Sequence, residues 1–262
     1  MTQATADLSL VVRPASTGTA ELGLYCTENA ATVEALASTL GVTCQRMSVY
    51  CGGGNHTGLA GTFNTTMGLS VGVGDTTVAG ATTTAQAIGA EQYAAGRRGT
   101  LYRVMWEQST YFGGYSTSKY ITAFQAVTTG IRAGDPSAII SYCPNQGGYS
   151  TLVNYYPGDA YVDVCQIDYY DTQWRTAGTD TAMLDFFLWA VARGKSTGLG
   201  EWGTWRGSLT NNNGSYITWM AGIINNPIYG VAYQELFSNK GDGSTDITAW
   251  PLAVAAYRAA FG

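Results

Sequence analysis

The sequence predicts a single-domain α/β protein, a (β/α)8 TIM barrel, and three observations carry that expectation. Short apolar runs alternate with longer helical patterns from end to end. Eight such strand–helix units follow one another in the 262 residues, close to the size of one α/β barrel. No linker or break in composition divides the chain. Strict alternation implies a parallel sheet, and eight units in this length imply that the sheet closes.

Taken in order, the first apolar run is 21–25, followed by a helical pattern over 31–40. Strand two is expected over 46–50, and the connection after it is mostly a Gly/Thr loop. Strand three spans 67–71 and leads into a helix over 84–96; strand four spans 102–106 and leads into a helix over 119–133. Strand five covers 139–143, and the connection at 150–155 is too short for a full helix. Strand six covers 162–167, with a helix over 181–193; strand seven covers 198–201, with a helix over 215–224. Strand eight covers 229–234, and a helix over 250–260 closes the chain. The barrel domain is thus expected over residues 19–262, preceded by a polar, Thr-rich arm over residues 1–18. The arm lacks a basic region and has no apolar stretch longer than Leu10-Val11-Val12, so it does not read as a secretory signal peptide. A second reading makes it a docking arm for a larger assembly.

Composition narrows the chemistry. Hydrophobic residues make up 45% of the chain, enough for one large core, and charged residues only 12%, about half the usual share. A net charge of −5 argues against nucleic acid or an anionic membrane surface as partner. No run of about 18 apolar residues is present, so no membrane span is expected. The five cysteines, Cys26, Cys44, Cys51, Cys143 and Cys165, form no CxxC pair and read as small buried hydrophobes. His56, in Gly-Gly-Gly-Asn-His-Thr-Gly, is the single histidine. With one histidine, no GxSxG elbow and no GxxxxGK[ST] loop, triad and P-loop machines find no support. No metal or organic cofactor is expected, and carboxylates supported by tyrosines remain as the reactive groups.

A barrel places its active site at the C-terminal ends of its strands. The residues expected there are Cys26, Cys51, Asp75, Glu107, Pro144-Asn145, Asp168 through Asp171, Glu201-Trp202 and Glu235. An acid beside an apolar barrel interior is costly unless compensated. Glu107 ends strand four and Glu201 ends strand seven, which face one another across the mouth of an eight-stranded barrel. Such a pair matches the needs of glycoside hydrolysis, in which one carboxyl protonates the leaving oxygen and the other attacks or steers water. The competing reading is two rim glutamates in salt bridges.

Aromatic residues point the same way. The chain has 7 Trp and 18 Tyr, and Trp106, Tyr111, Phe112, Tyr115, Trp174, Trp202 and Trp205 fall just beyond strand ends. Sugar rings stack their C–H faces on aromatic rings while their hydroxyls need polar partners. Asn145, Gln146, Gln173 and Arg175 lie nearby in sequence. The expected substrate-binding set is Trp106, Tyr111, Asn145, Asp168, Trp174, Trp202, Trp205 and Glu235, whereas Trp189 and Trp219 lie in helical patterns and read as core.

Four segments resemble glycoside hydrolase family 26, the family of β-mannanases and some related endo-glucanases and xylanases. They are Arg103-Val-Met-Trp-Glu107-Gln, Tyr155-Tyr-Pro-Gly-Asp159-Ala-Tyr-Val-Asp163-Val, Gln166-Ile-Asp168-Tyr-Tyr170-Asp171 and Gly200-Glu201-Trp-Gly203. The likeness runs in order from about residue 102 to 203 and is weak elsewhere. It implies Glu107 as acid/base, Glu201 as nucleophile and Tyr170 as the hydrogen-bond donor that holds Glu201. It also implies a retaining, endo-acting attack on a β-linked polysaccharide such as mannan, glucan or xylan; a bacterial surface glycan is a further expected substrate, and an enzyme that cuts polysaccharide is expected to meet it outside the cytoplasm. One position departs from the family, which usually has a histidine before the acid/base; here it is Trp106. The alternative expectation is a barrel that binds glycan without cutting it, as part of a phage tail or other surface assembly.

Overall fold

The computed structural model describes residues 20–26, 29–51, 63–69, 78–172, 181–205, 213–239 and 245–262. The arm, His56, Asp75, Gln173, Trp174 and Arg175 lie outside them. Eight parallel strands close into a barrel in sequence order. They are β1 (Glu21–Tyr25), β2 (Arg46–Cys51), β3 (Asn64–Leu69), β4 (Leu101–Val104), β5 (Ile139–Tyr142), β6 (Val164–Tyr170), β7 (Ser196–Gly203) and β8 (Val231–Phe237). β1 pairs with β8, Gly23 opposite Glu235, and this pairing completes the cylinder. Outside it run α1 (Ala30–Leu40), α2 (Val78–Ala94), α3 (Gln108–Tyr111), α4 (Thr117–Gly134), α5 (Tyr149–Asn154), α6 (Thr181–Val191), α7 (Gly214–Ile224) and α8 (Pro251–Phe261).

Strand alternation sends every second side chain outward. Leu24, Val49, Leu69, Val104, Ile140, Ile167, Leu199 and Leu236 join the helices in the main core. The inner face is unusually polar. Leu101, Val164 and Tyr233 form a small separate apolar cluster, and nearer the mouth Ser48, Thr66, Arg103, Ser141, Gln166, Asp168 and Glu235 are all buried. Several of them pair with one another: Ser141 donates to Gln166 Oε1 at 2.7 Å, and Ser48 and Thr66 both donate to the Glu235 carboxylate.

Strand limits differ from the sequence expectation where it mattered most. β6 and β8 each run three residues past their expected ends, to Tyr170 and Phe237. Asp168 and Glu235 therefore sit inside strands, below the rim. β4 instead stops at Val104, because Met105 and Glu107 both adopt left-handed backbone, with φ of 46° and 50°. The segment after β5, expected to be too short for a full helix, forms the 6-residue helix α5.

Candidate active site

The turn after β4 is held open at a cost. Two non-glycine residues at positive φ are each strained by roughly 1–3 kcal/mol, so the surroundings must fix them. Met105 N–H donates to Leu69 O at 2.9 Å and Glu107 N–H to Cys143 O at 2.8 Å, while the Tyr120 hydroxyl donates to Met105 O at 2.8 Å. Asn145 completes the brace: its Oδ1 accepts from Ser109 Oγ at 2.7 Å and its amide donates to Thr110 Oγ1 at 2.9 Å. Asn145, expected as a sugar ligand, thus commits both ends of its amide to the α3 turn. The result is a half-buried Glu107 whose carboxyl is pushed up to about 7, first by burial and then by the charge of Glu201.

Glu201 owes its direction to a register shift. Ile167 pairs with Leu199, but the next residue, Asp168, pairs with Glu201, so Gly200 is an extra residue in β7. A bulge of this kind re-aims the following side chain. Glu201 Oε2 accepts from the Tyr170 hydroxyl at 2.7 Å, and Oε1 accepts from the Tyr50 hydroxyl at 2.8 Å and Arg103 Nη1 at 3.0 Å. Arg103 is itself completely buried and pairs through Nη2 with Asp168, whose other oxygen accepts from Cys143 Sγ at 3.2 Å. This layer passes so close beneath β7 that only glycine fits at position 200. A Cβ there would meet Cys143 Sγ at 2.6 Å, Asp168 Oδ1 at 2.7 Å and Arg103 Nε at 2.8 Å.

Aromatic rings border the pair in one unbroken arc. Trp205 packs on Tyr170 (centroids 5.2 Å apart), Tyr170 on Phe237 (6.2 Å), Phe237 on Tyr25 (4.7 Å), Tyr25 on Tyr50 (5.0 Å), Tyr50 on Trp106 (5.6 Å) and Trp106 on Tyr111 (5.4 Å). Tyr111, 59% exposed, and Trp205, 38% exposed, are the most open rings of the arc and stand at its two ends, while Tyr25, Tyr50 and Phe237 between them are half-buried.

The structure brings Glu107, Glu201, Tyr170, Trp106, Tyr111 and Trp205 together and corrects three other expectations. Trp202 is fully buried and turned outward, stacked on Tyr257 at 5.9 Å with its indole N–H on Gln234. As the neighbour of an inward Glu201 on one strand, it has to point the other way. Asp168 is sealed under the site by its Arg103 pair, and Glu235 by Ser48 and Thr66, so neither is exposed to the cleft. Conversely, Tyr50, Arg103, Tyr25 and Phe237 were not expected at the site. Arg103 left a trace: a cation inside the apolar run Leu101-Tyr-Arg-Val104 needs a buried acid partner.

No family model and no curated protein sequence matches the chain. Solved structures do. The modular endo-β-1,4-mannanase of Cellulomonas fimi, of glycoside hydrolase family 26, is 17% identical with a TM-score of 0.63 over 84% of this chain, which spans 65% of that one. The family 26 endo-β-1,4-mannanase catalytic domain of Bacillus sp. JAMB-750 is 14% identical, TM-score 0.62, covering 91% of this chain and 85% of that one. A curdlan-specific exo-β-1,3-glucanase of family 128 from Blastomyces gilchristii is 14% identical, TM-score 0.56, covering 91% and 97%. These likenesses show a shared barrel.

Proposed function

We propose that the protein is a retaining, endo-acting glycoside hydrolase of β-linked polysaccharide, with Glu107 as acid/base and Glu201 as nucleophile. The observation that carries this reading is the unequal treatment of two neighbouring carboxyls. Burial and the charge of Glu201 push Glu107 up to about 7, which suits a proton donor. Glu201 is gripped by a guanidinium and two phenols, which suits a fixed anion. A proton donor beside a carboxylate held in place by three hydrogen bonds is the division of labour that acid and nucleophile need. The enzymes named among the structural neighbours act on β-linked mannan and glucan, and this supports the substrate class. A polymeric or surface glycan as substrate is in keeping with action outside the cytoplasm, in free form or on a particle surface.

In the first step the Glu107 proton passes to the glycosidic oxygen as that bond breaks, and a Glu201 oxygen bonds the anomeric carbon. In the second, Glu107, now a carboxylate, takes a proton from water as the water oxygen bonds that carbon and releases Glu201. Two inversions return the starting anomer.

The test is a panel of β-mannan, β-glucan, xylan and bacterial surface glycans scored by reducing-end release, with the released anomer read by NMR and early products sized. Glu201→Gln and Glu107→Gln should each lower turnover by several orders of magnitude with the fold intact. The Glu107 variant should recover on substrates whose leaving group needs no proton. A parent that binds a glycan but releases no ends from the panel would leave the non-catalytic barrel as the answer.

A further inference from the structure

We infer that the two open ring faces divide the substrate between them, Tyr111 stacking the sugar that leaves and Trp205 the sugar that becomes bonded to the enzyme. This rests on the proposed reaction and assigns the two sides of its cleft.

Each ring is tied to one of the two carboxyl groups. Tyr111 ends the short turn that Glu107 begins, its N–H donating to Glu107 O at 3.1 Å, and its ring packs against Trp106, the residue preceding Glu107. Its phenol is raised by burial and then by the charges of Glu107 and Glu201, in keeping with a ring facing the same space. Trp205 is fixed from the other side. Its N–H donates to the buried Asp171 Oδ1 at 3.0 Å, and its ring lies edge-to-face on Tyr170, whose hydroxyl holds Glu201. Between them the arc is closed by Phe237, Tyr25, Tyr50 and Trp106, which are largely occupied with one another.

The chemistry gives each end a meaning. The acid must lie beside the oxygen of the departing sugar, so a platform carried by the acid's own turn meets the leaving group. The nucleophile must lie beneath the anomeric carbon, so a platform carried by its hydrogen-bond donor meets the sugar that stays. Aromatic stacking contributes about 0.5–1.5 kcal/mol beyond area burial, so the loss of either face should be read as a change of up to about tenfold in KM or transfer.

The experiment pairs Tyr111→Ala and Trp205→Ala with two substrates. One is a tetrasaccharide of the mannan, glucan or xylan the parent cuts. The other is the β-glycosyl fluoride of the same sugar, whose leaving group has no ring. Tyr111→Ala should raise KM for the tetrasaccharide by about two- to tenfold, cut transfer to an added acceptor sugar by as much, and change KM for the fluoride far less than for the tetrasaccharide. Tyr111→Phe should restore both. Trp205→Ala should raise KM for both substrates and leave the partition between water and acceptor alone. The opposite pattern, or two variants indistinguishable from the parent, overturns this division while leaving the hydrolase intact. A parent that cuts neither substrate overturns the reaction and the division together.

Discussion

Tyr170 donates its hydroxyl hydrogen to Glu201 Oε2 at 2.7 Å while its ring packs edge-on against both Trp205 and Phe237. The last residue of β6 therefore orients a carboxylate on β7 and lines the mouth at once. It can do so because the bulge at Gly200 brings Glu201 into register with Asp168, two residues earlier on the same inward face of β6.

Tyr170→Phe keeps the ring and removes the bond. A hydrogen bond to a charged group contributes about 1.5–3 kcal/mol, so kcat/KM should fall by roughly ten- to a hundredfold. Thermal unfolding should change little, since the packing is kept. An unchanged kcat/KM would mean that Tyr50 and Arg103 suffice to hold Glu201.

Gly200→Ala should be far more damaging than its one methyl suggests. The added carbon would meet Cys143 Sγ, Asp168 Oδ1 and Arg103 Nε within 2.6–2.8 Å, and all three side chains are buried and held by one another. Either the Arg103–Asp168 pair separates or Glu201 is displaced; both should abolish measurable turnover and lower Tm. A variant of normal activity would show that the bulge is not needed.

The fold was legible because the alternation of strand and helix survives along most of the chain, and the placing of Glu107 and Glu201 at the mouth followed from the ends of strands four and seven. Strand limits were less legible. Nothing local in Ile167-Asp-Tyr-Tyr170 says where β6 stops, so Asp168 and Glu235 looked like rim residues. Trp202 was readable in principle, since alternation alone turns it away from the side Glu201 faces. Tyr50 and Phe237 carry no motif; they become visible only when closure sets β1, β2 and β8 side by side.

Two glycines on helices should respond oppositely to alanine. Gly130 on α4 lies against α2, where a Cβ would run into the Thr82 carbonyl oxygen and come within 2.9 Å of Ala85 Cβ. Gly222 on α7 is exposed with nothing within 4 Å. Alanine is the better helix former by about 1 kcal/mol, so Gly222→Ala should raise Tm. Gly130→Ala gains the same propensity but forces two backbones apart, at a cost of about 1–3 kcal/mol or more, and should lower it. The pair of melting curves checks both signs.

The last prediction concerns Glu235, which the barrel seals in with Ser48 and Thr66. Burial raises its carboxyl from 4.5 to about 7, against the opposing hydrogen bond from Thr66 and the charges of Arg46 and Arg103. A folded-state pKa above the unfolded one means that the native protein holds a proton the unfolded chain has already released. Between about pH 4.5 and 7 stability should therefore fall as pH rises, and level off above 7. The loss is bounded by about 3.5 kcal/mol, from roughly 1.4 kcal/mol per pH unit over that interval. Glu107, raised to about 7 as well, adds a fall of the same sign. Glu235→Gln cannot ionise, so its stability should depend less steeply on pH, and the gap between variant and parent should shift in favour of the variant on going from pH 5 to pH 8. Denaturant midpoints at those two pH values measure it directly. If the gap stays constant, the Glu235 carboxyl is already charged at pH 5 and the buried arginines outweigh its desolvation.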